Sequence, residues 1–247
     1  MVKLSKRMKA VSSMVTAGYR LADVGTDHGY VPIALVQKGK IPSAVAMDIN
    51  AGPLERAEEH IREQKLEGQI STRLCDGLTG LNPGDVDSVL VAGMGGELML
   101  HILSEGEAVC REAKELILQP QSDIRKVRKY LRQHNYRIVD EDMVLEDGKY
   151  YPMMRAVPVE DTSNWNRLEP WVVTACDIYG PLLLKNGHPV LRKYLVREHK
   201  MLMGILKGLD TKEPTEKVVQ RRQEIDDMLA YNESAYTILG DIVHAGI

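Results

Sequence analysis

The chain has 247 residues, of which 44% are hydrophobic and 27% charged. That composition excludes a disordered or collagen-like chain. The balance of 32 Lys and Arg against 35 Asp and Glu, net charge -3, excludes a uniformly basic nucleic-acid coat but leaves room for a local basic patch. No apolar run approaches the roughly 18 residues that span a bilayer, so no membrane association is expected. Residues 1–13 lack the apolar core of a secretory signal. Cys75, Cys110 and Cys176 are widely spaced, with no CxxC or metal-ligand pattern, so a reducing cytoplasm without a bound metal is expected.

Residues 4–15 place Leu4, Met8, Val11 and Val15 at helical spacing, with Lys6, Arg7 and Lys9 elsewhere around the helix. A packing helix with a solvated basic side is the simplest reading, and a substrate-facing basic edge is the alternative. Strands and helices then alternate. Strands are expected at 20–25, 43–49, 70–75, 87–93 and 115–120. Helices are expected at 31–39, stopped by Gly39, from Pro53 onward through Leu54, Ala57 and Ile61, at 96–105, and at 123–135 with Asp123 as N-cap. This alternation implies βαβ units and a parallel sheet. Residues 136–146 and 149–159, joined by Asp147-Gly148, read as an antiparallel hairpin, with Pro152 a local objection. Residues 161–170 read as a linker. Beyond it, Leu191, Leu195, Leu202, Leu206 and Leu209 mark one helix and Val218, Ile225, Met228 and Leu229 another, turned at 209–215 into a coiled-coil-like helical hairpin. The expected organisation is therefore an α/β domain at 1–160 and a helical hairpin domain at 161–247.

In open α/β sheets, ligands bind beyond the carboxyl ends of the strands, where strand order reverses. Residues there carry the chemistry. After the first strand come Asp23, Gly25, Thr26, Asp27, His28, Gly29 and Tyr30. Gly25 permits a tight turn and Gly29 a close backbone approach at a helix start. Carboxylates at 23 and 27 suit an ammonium or a sulfonium better than a dinucleotide pyrophosphate, which argues against a nicotinamide cofactor. Asp48 lies 23 residues past Gly25, near the usual spacing for an acid that holds ribose hydroxyls. Asp76-Gly77 after the third strand suits an adenine amine, with Ile49 and Leu78 to sandwich the ring. Ala92, Gly93 and Met94, followed by Gly95 and Gly96, leave room for a flat substrate, and Gln119 closes the fifth strand. Taken singly, each Asp is as readily a turn former, His28 a capping or packing residue, and Cys75 a buried hydrophobe. Three acids ending three successive strands match the order methionine, ribose and adenine of S-adenosylmethionine.

LSKRMKAV (4–11), ADVGTDHGYVP (22–32), AGMGG (92–96) and LILQPQ (116–121), followed by the helical hairpin, resemble the bacterial TrmK family. Those are class I tRNA (adenine(22)-N1)-methyltransferases, and the resemblance runs nearly end to end. It implies a Rossmann-like methyltransferase sheet with a reversed strand near its end, S-adenosylmethionine as cofactor and tRNA as partner, with no obligate protein partner. It implies Asp23 and Gly25 beside the methionine portion, Asp48 at the ribose, Asp76 and Gly77 at the adenine, and Ala92, Gly93 and Met94 bordering both cofactor and target base; His28, Gly29, Ile49 and Leu78 are further expected cofactor contacts. AGMGG stands where many amino-methyltransferases carry an Asn/Asp-Pro-Pro-aromatic motif. The target-base acceptor is expected to be Asp27, with Tyr30 stacking and Gln119 as a substitute. Lys6, Arg7, Arg125, Lys126, Arg128, Lys129 and Arg132 are expected to touch tRNA, although a solvated helix face explains the last five equally well. The alternatives are a class I methyltransferase for another RNA, a protein or a metabolite, and a non-catalytic cofactor-binding module.

Overall fold

In the computed structural model, which describes residues 2–160 and 163–245, the chain forms two compact units that part near residue 162. The first is built on one sheet. Its parallel strands are β1 (Leu21–Val24), β2 (Ala44–Asp48), β3 (Ile70–Leu74), β4 (Ser88–Met94) and β5 (Glu115–Pro120), followed by the hairpin β6 (Tyr136–Glu146) and β7 (Lys149–Pro158). The order is β3-β2-β1-β4-β5-β7-β6, with β7 antiparallel to both neighbours. Strand order therefore reverses between β1 and β4. The helices are α1 (Lys6–Met14), α2 (Tyr30–Gln37), α3 (Ala51–Glu63), α4 (Gly96–Glu105), α5 (Glu107–Glu112) and α6 (Ile124–Gln133). The Rossmann-like sheet with its reversed strand is as the sequence implies.

Both faces of the sheet are covered, and residue alternation along each strand divides the core in two. Val89, Val91, Leu116 and Leu118 join Met99 and Leu103 of α4 and Val127 and Leu131 of α6. Leu90 and Ile117, between them in sequence, join Val11 and Met14 of α1 and Ile33 and Val36 of α2. Leu54, Ala57 and Ile61 are the buried stripe of α3.

Local departures from the sequence reading have local causes. Asp123 precedes α6 but is left-handed (φ 50°), not extended as a capping residue is, and no side-chain capping bond forms. Its carboxylate accepts from Ser122 Oγ (2.9 Å) and pairs with Lys126 (3.2 Å). Pro53 is the third residue of α3, still within the first turn, whose amides need no intrahelical partner. Pro152 is paired with Met143 of β6 but faces no residue of β5, which pairs only with Met154, Arg155 and Ala156. At Pro152 there is no β5 ladder bond to lose. The short α5 has no counterpart in the sequence reading.

The second unit contains a 3-10 turn (Ser163–Arg167), α7 (Pro170–Tyr179), α8 (Pro181–Lys185), α9 (Pro189–Leu209) and α10 (Glu216–Ala245). Residues 161 and 162 of the expected linker lie outside the described residues, and its last residue already opens α7. Proline starts α7, α8 and α9, where its missing amide is harmless. Leu202 of α9 meets Ile225 and Leu229 of α10, giving the expected helical hairpin. It is joined by a buried polar cluster. Glu198 accepts from Tyr179 (2.7 Å), Tyr194 (2.8 Å) and Asn232 Nδ2 (2.9 Å), linking α7, α9 and α10.

One residue of the expected basic track belongs to the core. Arg128 is 1% exposed and its Nε donates to Glu141 of β6 at 2.9 Å, so it cannot reach a phosphate. Four positions beyond Ile124, it falls on the inner face of α6 with Val127 and Leu131. Arg128→Ala leaves Glu141 charged in the interior and should cost about 3–5 kcal/mol in urea unfolding. Lys129→Ala, on the exposed side, should stay within about 0.5 kcal/mol.

Candidate active site

A cavity of about 250 Å³ opens at the carboxyl ends of β1 and β4, where strand order reverses. Asp23 lines it from β1, Gly25 and Asp27 from the β1–α2 loop, Tyr30 from the start of α2, and Ala92 and Gly93 from β4. α1 closes one side with Arg7, Met8 and Val11.

The β1–α2 loop is built to turn sharply. Gly25, His28 and Gly29 all have positive φ (73°, 64° and 66°). The amides of Gly25 and Thr26 both donate to the Met47 carbonyl (2.8 and 2.9 Å), which carries the β1–β2 register into the loop. A Cβ at Gly25 would lie 1.9 Å from Met94 Cε, so the methionine at the end of β4 covers the glycine that follows β1 and would have to swing aside for a side chain there. At Gly29 a Cβ would sit 3.4 Å from the Ala57 Cβ of α3, an ordinary contact, so the left-handed φ rather than lack of space favours glycine there.

Asp23 is 8% exposed, and burial raises its carboxyl to about 6 despite the Thr26 hydroxyl that donates to it at 2.7 Å. Arg7 brings the opposite charge. Its Nη1 donates to Gln119 Oε1 (2.8 Å) and its guanidinium lies 5.5 Å from the Tyr151 ring centroid. Arg7, expected to touch tRNA, thus enters the cavity. Gln119, expected as a base acceptor, is fully buried at the end of β5, with its oxygen accepting from Arg7 and its Nε2 donating to the Pro120 carbonyl (3.2 Å). It cannot meet a substrate from there. Gln121 lines the cavity instead, because it is the first glutamine to clear the strand. The β4–β5 ladder slips at Gly93 (φ 83°), between the pairs Ala92↔Gln119 and Met94↔Pro120. Gly96 needs its glycine for close packing, since a Cβ would meet the Ser122 carbonyl at 2.6 Å.

Asp27 is at the cavity rim, its side chain 64% exposed, with Oδ1 3.1 Å from Arg56 Nη2 and 3.4 Å from His28 Nε2. Tyr30 stacks on His28 (5.0 Å, 7° between planes) and His60 of α3 (5.1 Å), and His60 Nδ1 is 3.0 Å from the His28 carbonyl oxygen. Arg56 and His60 carry no sequence signal, because their partners are about thirty positions away.

The other strand-end acids, Asp48 and Asp76, do not line this cavity. Asp48 Oδ1 accepts from the Asn50 amide at 2.7 Å. Ile49 is 61% exposed, and Asp76 is exposed beside Gly77 (φ 51°). Leu78 is not available to sandwich a ring. It is 1% exposed and packed in the core, where Gly106 makes room for it. Leu74, the last residue of β3, is the exposed apolar neighbour on that strand.

Of the remaining basic residues, Lys6 donates to the Leu145 carbonyl (3.3 Å), and Lys126 pairs with Glu97 and Asp123. Arg125, Lys129 and Arg137 are exposed, and Arg132 is half-buried. Among the described residues no cluster of three His, Cys, Asp or Glu side chains could hold a metal ion, and no helix is long and apolar enough to cross a membrane.

Residues 4–154 match a family model described as a methyltransferase domain. The chain is 31% identical over 228 residues to the tRNA (adenine(22)-N(1))-methyltransferase of Bacillus subtilis, covering 92% of this chain and 94% of that protein. The crystal structure of the B. subtilis m1A22 tRNA methyltransferase TrmK superposes with a TM-score of 0.84 at 30% identity, over 95% of this chain and 99% of that one. The structure of M. capricolum TrmK with S-adenosyl-homocysteine superposes with a TM-score of 0.80 at 27% identity, over 96% and 99%. The strand order, the cavity at its reversal and these matches agree: the chain belongs to the TrmK family of class I methyltransferases.

Proposed function

We propose that this protein transfers a methyl group from S-adenosylmethionine to N1 of adenine 22 in the D-arm of tRNA, in the cytoplasm. The assignment rests on one observation: Asp23 and Arg7, opposite in charge, line a single cavity at the strand ends. A cavity so furnished suits the ammonium and carboxylate of an amino-acid end. The names of the relatives support the transfer, its position and the tRNA.

The cofactor supplies an electrophilic methyl group on a sulfonium. Asp23 holds the ammonium and Arg7 the carboxylate, which moves Arg7 from the tRNA to the cofactor. Asp48 accepts from the ribose hydroxyls and Asp76 from the adenine amine, with exposed Ile49 against the ring. Gly25 and Met94 border the sulfur end, and Ala92, Gly93 and Gln121 face the incoming base. Adenine N1 already carries an in-plane lone pair, so no proton leaves before attack and no strong base is needed. Asp27 accepts from the exocyclic amine, which orients the ring and offsets the positive charge that grows on it. Tyr30, backed by His28 and His60, offers a face for a base flipped out of the tRNA. Residues 1–160 form the cofactor domain, and the helical hairpin domain at 161–247 contacts tRNA together with Lys6, Arg125, Lys126, Lys129 and Arg132.

Three outcomes follow. Burial favours the neutral form of Asp23, and the ammonium needs the charged form. Cofactor affinity by calorimetry should therefore be highest near pH 7 and about tenfold weaker at pH 5, since each unit below the carboxyl's raised value costs a factor of ten. Asp23→Asn should be weak at every pH. Asp27→Ala should lower the rate of tRNA methylation about 100-fold with cofactor affinity within about twofold. Charge reversal at Arg125 and Lys129 together should weaken tRNA binding and flatten its log–log salt dependence by about two units.

A further inference from the structure

α1 is held at its first turn by a carboxylate from the far end of the sheet. Three amides of that turn lack intrahelical partners, and all three are satisfied. Met8 donates to Ser5 Oγ (3.2 Å), the helix's own cap. Lys6 and Arg7 donate to the two carboxylate oxygens of Glu146, at 2.6 and 3.4 Å. Glu146 is the last residue of β6, opposite Lys149 across the tight turn of the hairpin. A negative charge at a helix N-terminus is favourable, and here it comes from 139 positions away. The Lys6 ammonium adds a bond to the neighbouring Leu145 carbonyl (3.3 Å).

The residue whose backbone Glu146 grips is also the one whose side chain enters the cavity. The Arg7 guanidinium meets Gln119 of β5 and the Tyr151 ring of β7. Its main chain is thus fixed by β6 and its side chain by β5 and β7. The sheet's reversed hairpin thereby does more than extend the sheet.

We infer that Glu146 is a positioning residue for cofactor recognition: it sets the first turn of α1 so that Arg7, aligned by Gln119 and Tyr151, presents its guanidinium to the carboxylate of the cofactor's amino-acid end. The inference rests on the cofactor role of Arg7 given above.

The test compares two ligands in full-length protein. S-adenosylmethionine carries the amino-acid end, and 5′-deoxy-5′-methylthioadenosine lacks it. Glu146→Ala should bind S-adenosylmethionine about tenfold more weakly, the effect of one weakened charge-assisted hydrogen bond, and methylthioadenosine as the parent does. Glu146→Gln keeps one acceptor oxygen and should recover most of the loss. Tyr151→Leu should lose selectively for S-adenosylmethionine, and Tyr151→Phe should not. An equal loss for both ligands would mean general damage to the fold and overturn the inference, as would unchanged affinity for S-adenosylmethionine. Arg7→Ala separates the two levels. If it selectively loses S-adenosylmethionine while Glu146→Ala does not, only the positioning role fails. If Arg7→Ala loses nothing, the cofactor role of Arg7 fails as well.

Discussion

A buried carboxylate and an inserted guanidinium share one cavity, and much of the first unit is arranged to keep them there. Asp23 is a buried strand residue beside Ala46 and Leu90, and it stays in the interior at the cost of a raised carboxyl pKa. An uncompensated charge at such depth is expensive, so the position favours a cationic ligand group over water. Arg7 sits on a helix that precedes the sheet in sequence and is brought to the cavity by contacts with β5, β6 and β7. Without the reversal of strand order between β1 and β4 no crevice would open between them.

The glycines at this end of the sheet solve separate packing problems. Gly25 turns the chain under the methyl group of Met94, Gly93 absorbs the slip between β4 and β5, and Gly96 lets α4 start against the backbone of the β5–α6 turn. AGMGG is therefore a shape motif. It carries no side chain able to grip a base nitrogen, whereas Asp27 and Tyr30 stand at the cavity rim.

Much of this was legible in the sequence, because strand ends in a parallel sheet follow from apolar runs and the acids after them are countable. The alternation β–α and the hairpin around Asp147-Gly148 follow from period and turn chemistry. What was not legible depended on depth and distance. Arg128 reads as one of five basic residues in a helix, and only the packing of α6 shows that it points inward to Glu141. Gln119 and Gln121 are equivalent by alternation, yet one is enclosed by the strand and the other lies beyond it. Leu78 looks available beside Asp76 until the space above Gly106 claims it. Glu146 and Arg7 are remote in sequence, so no local pattern could have joined them. The helices α7 and α8 were hidden because their apolar residues lack a clear polar contrast, although each opens with the proline that marks a first turn.

The central claim is that this cavity serves methyl transfer to a single ring nitrogen of tRNA. Its most direct measurement is mass-spectrometric mapping of an unmodified tRNA transcript after incubation with the purified protein and S-adenosylmethionine, beside a transcript in which adenine 22 is replaced by guanine. The account predicts one methyl group per transcript, at N1 of adenine 22, and none on the replaced transcript. A methyl group on another base, on the exocyclic amine, or on no tRNA at all would contradict it.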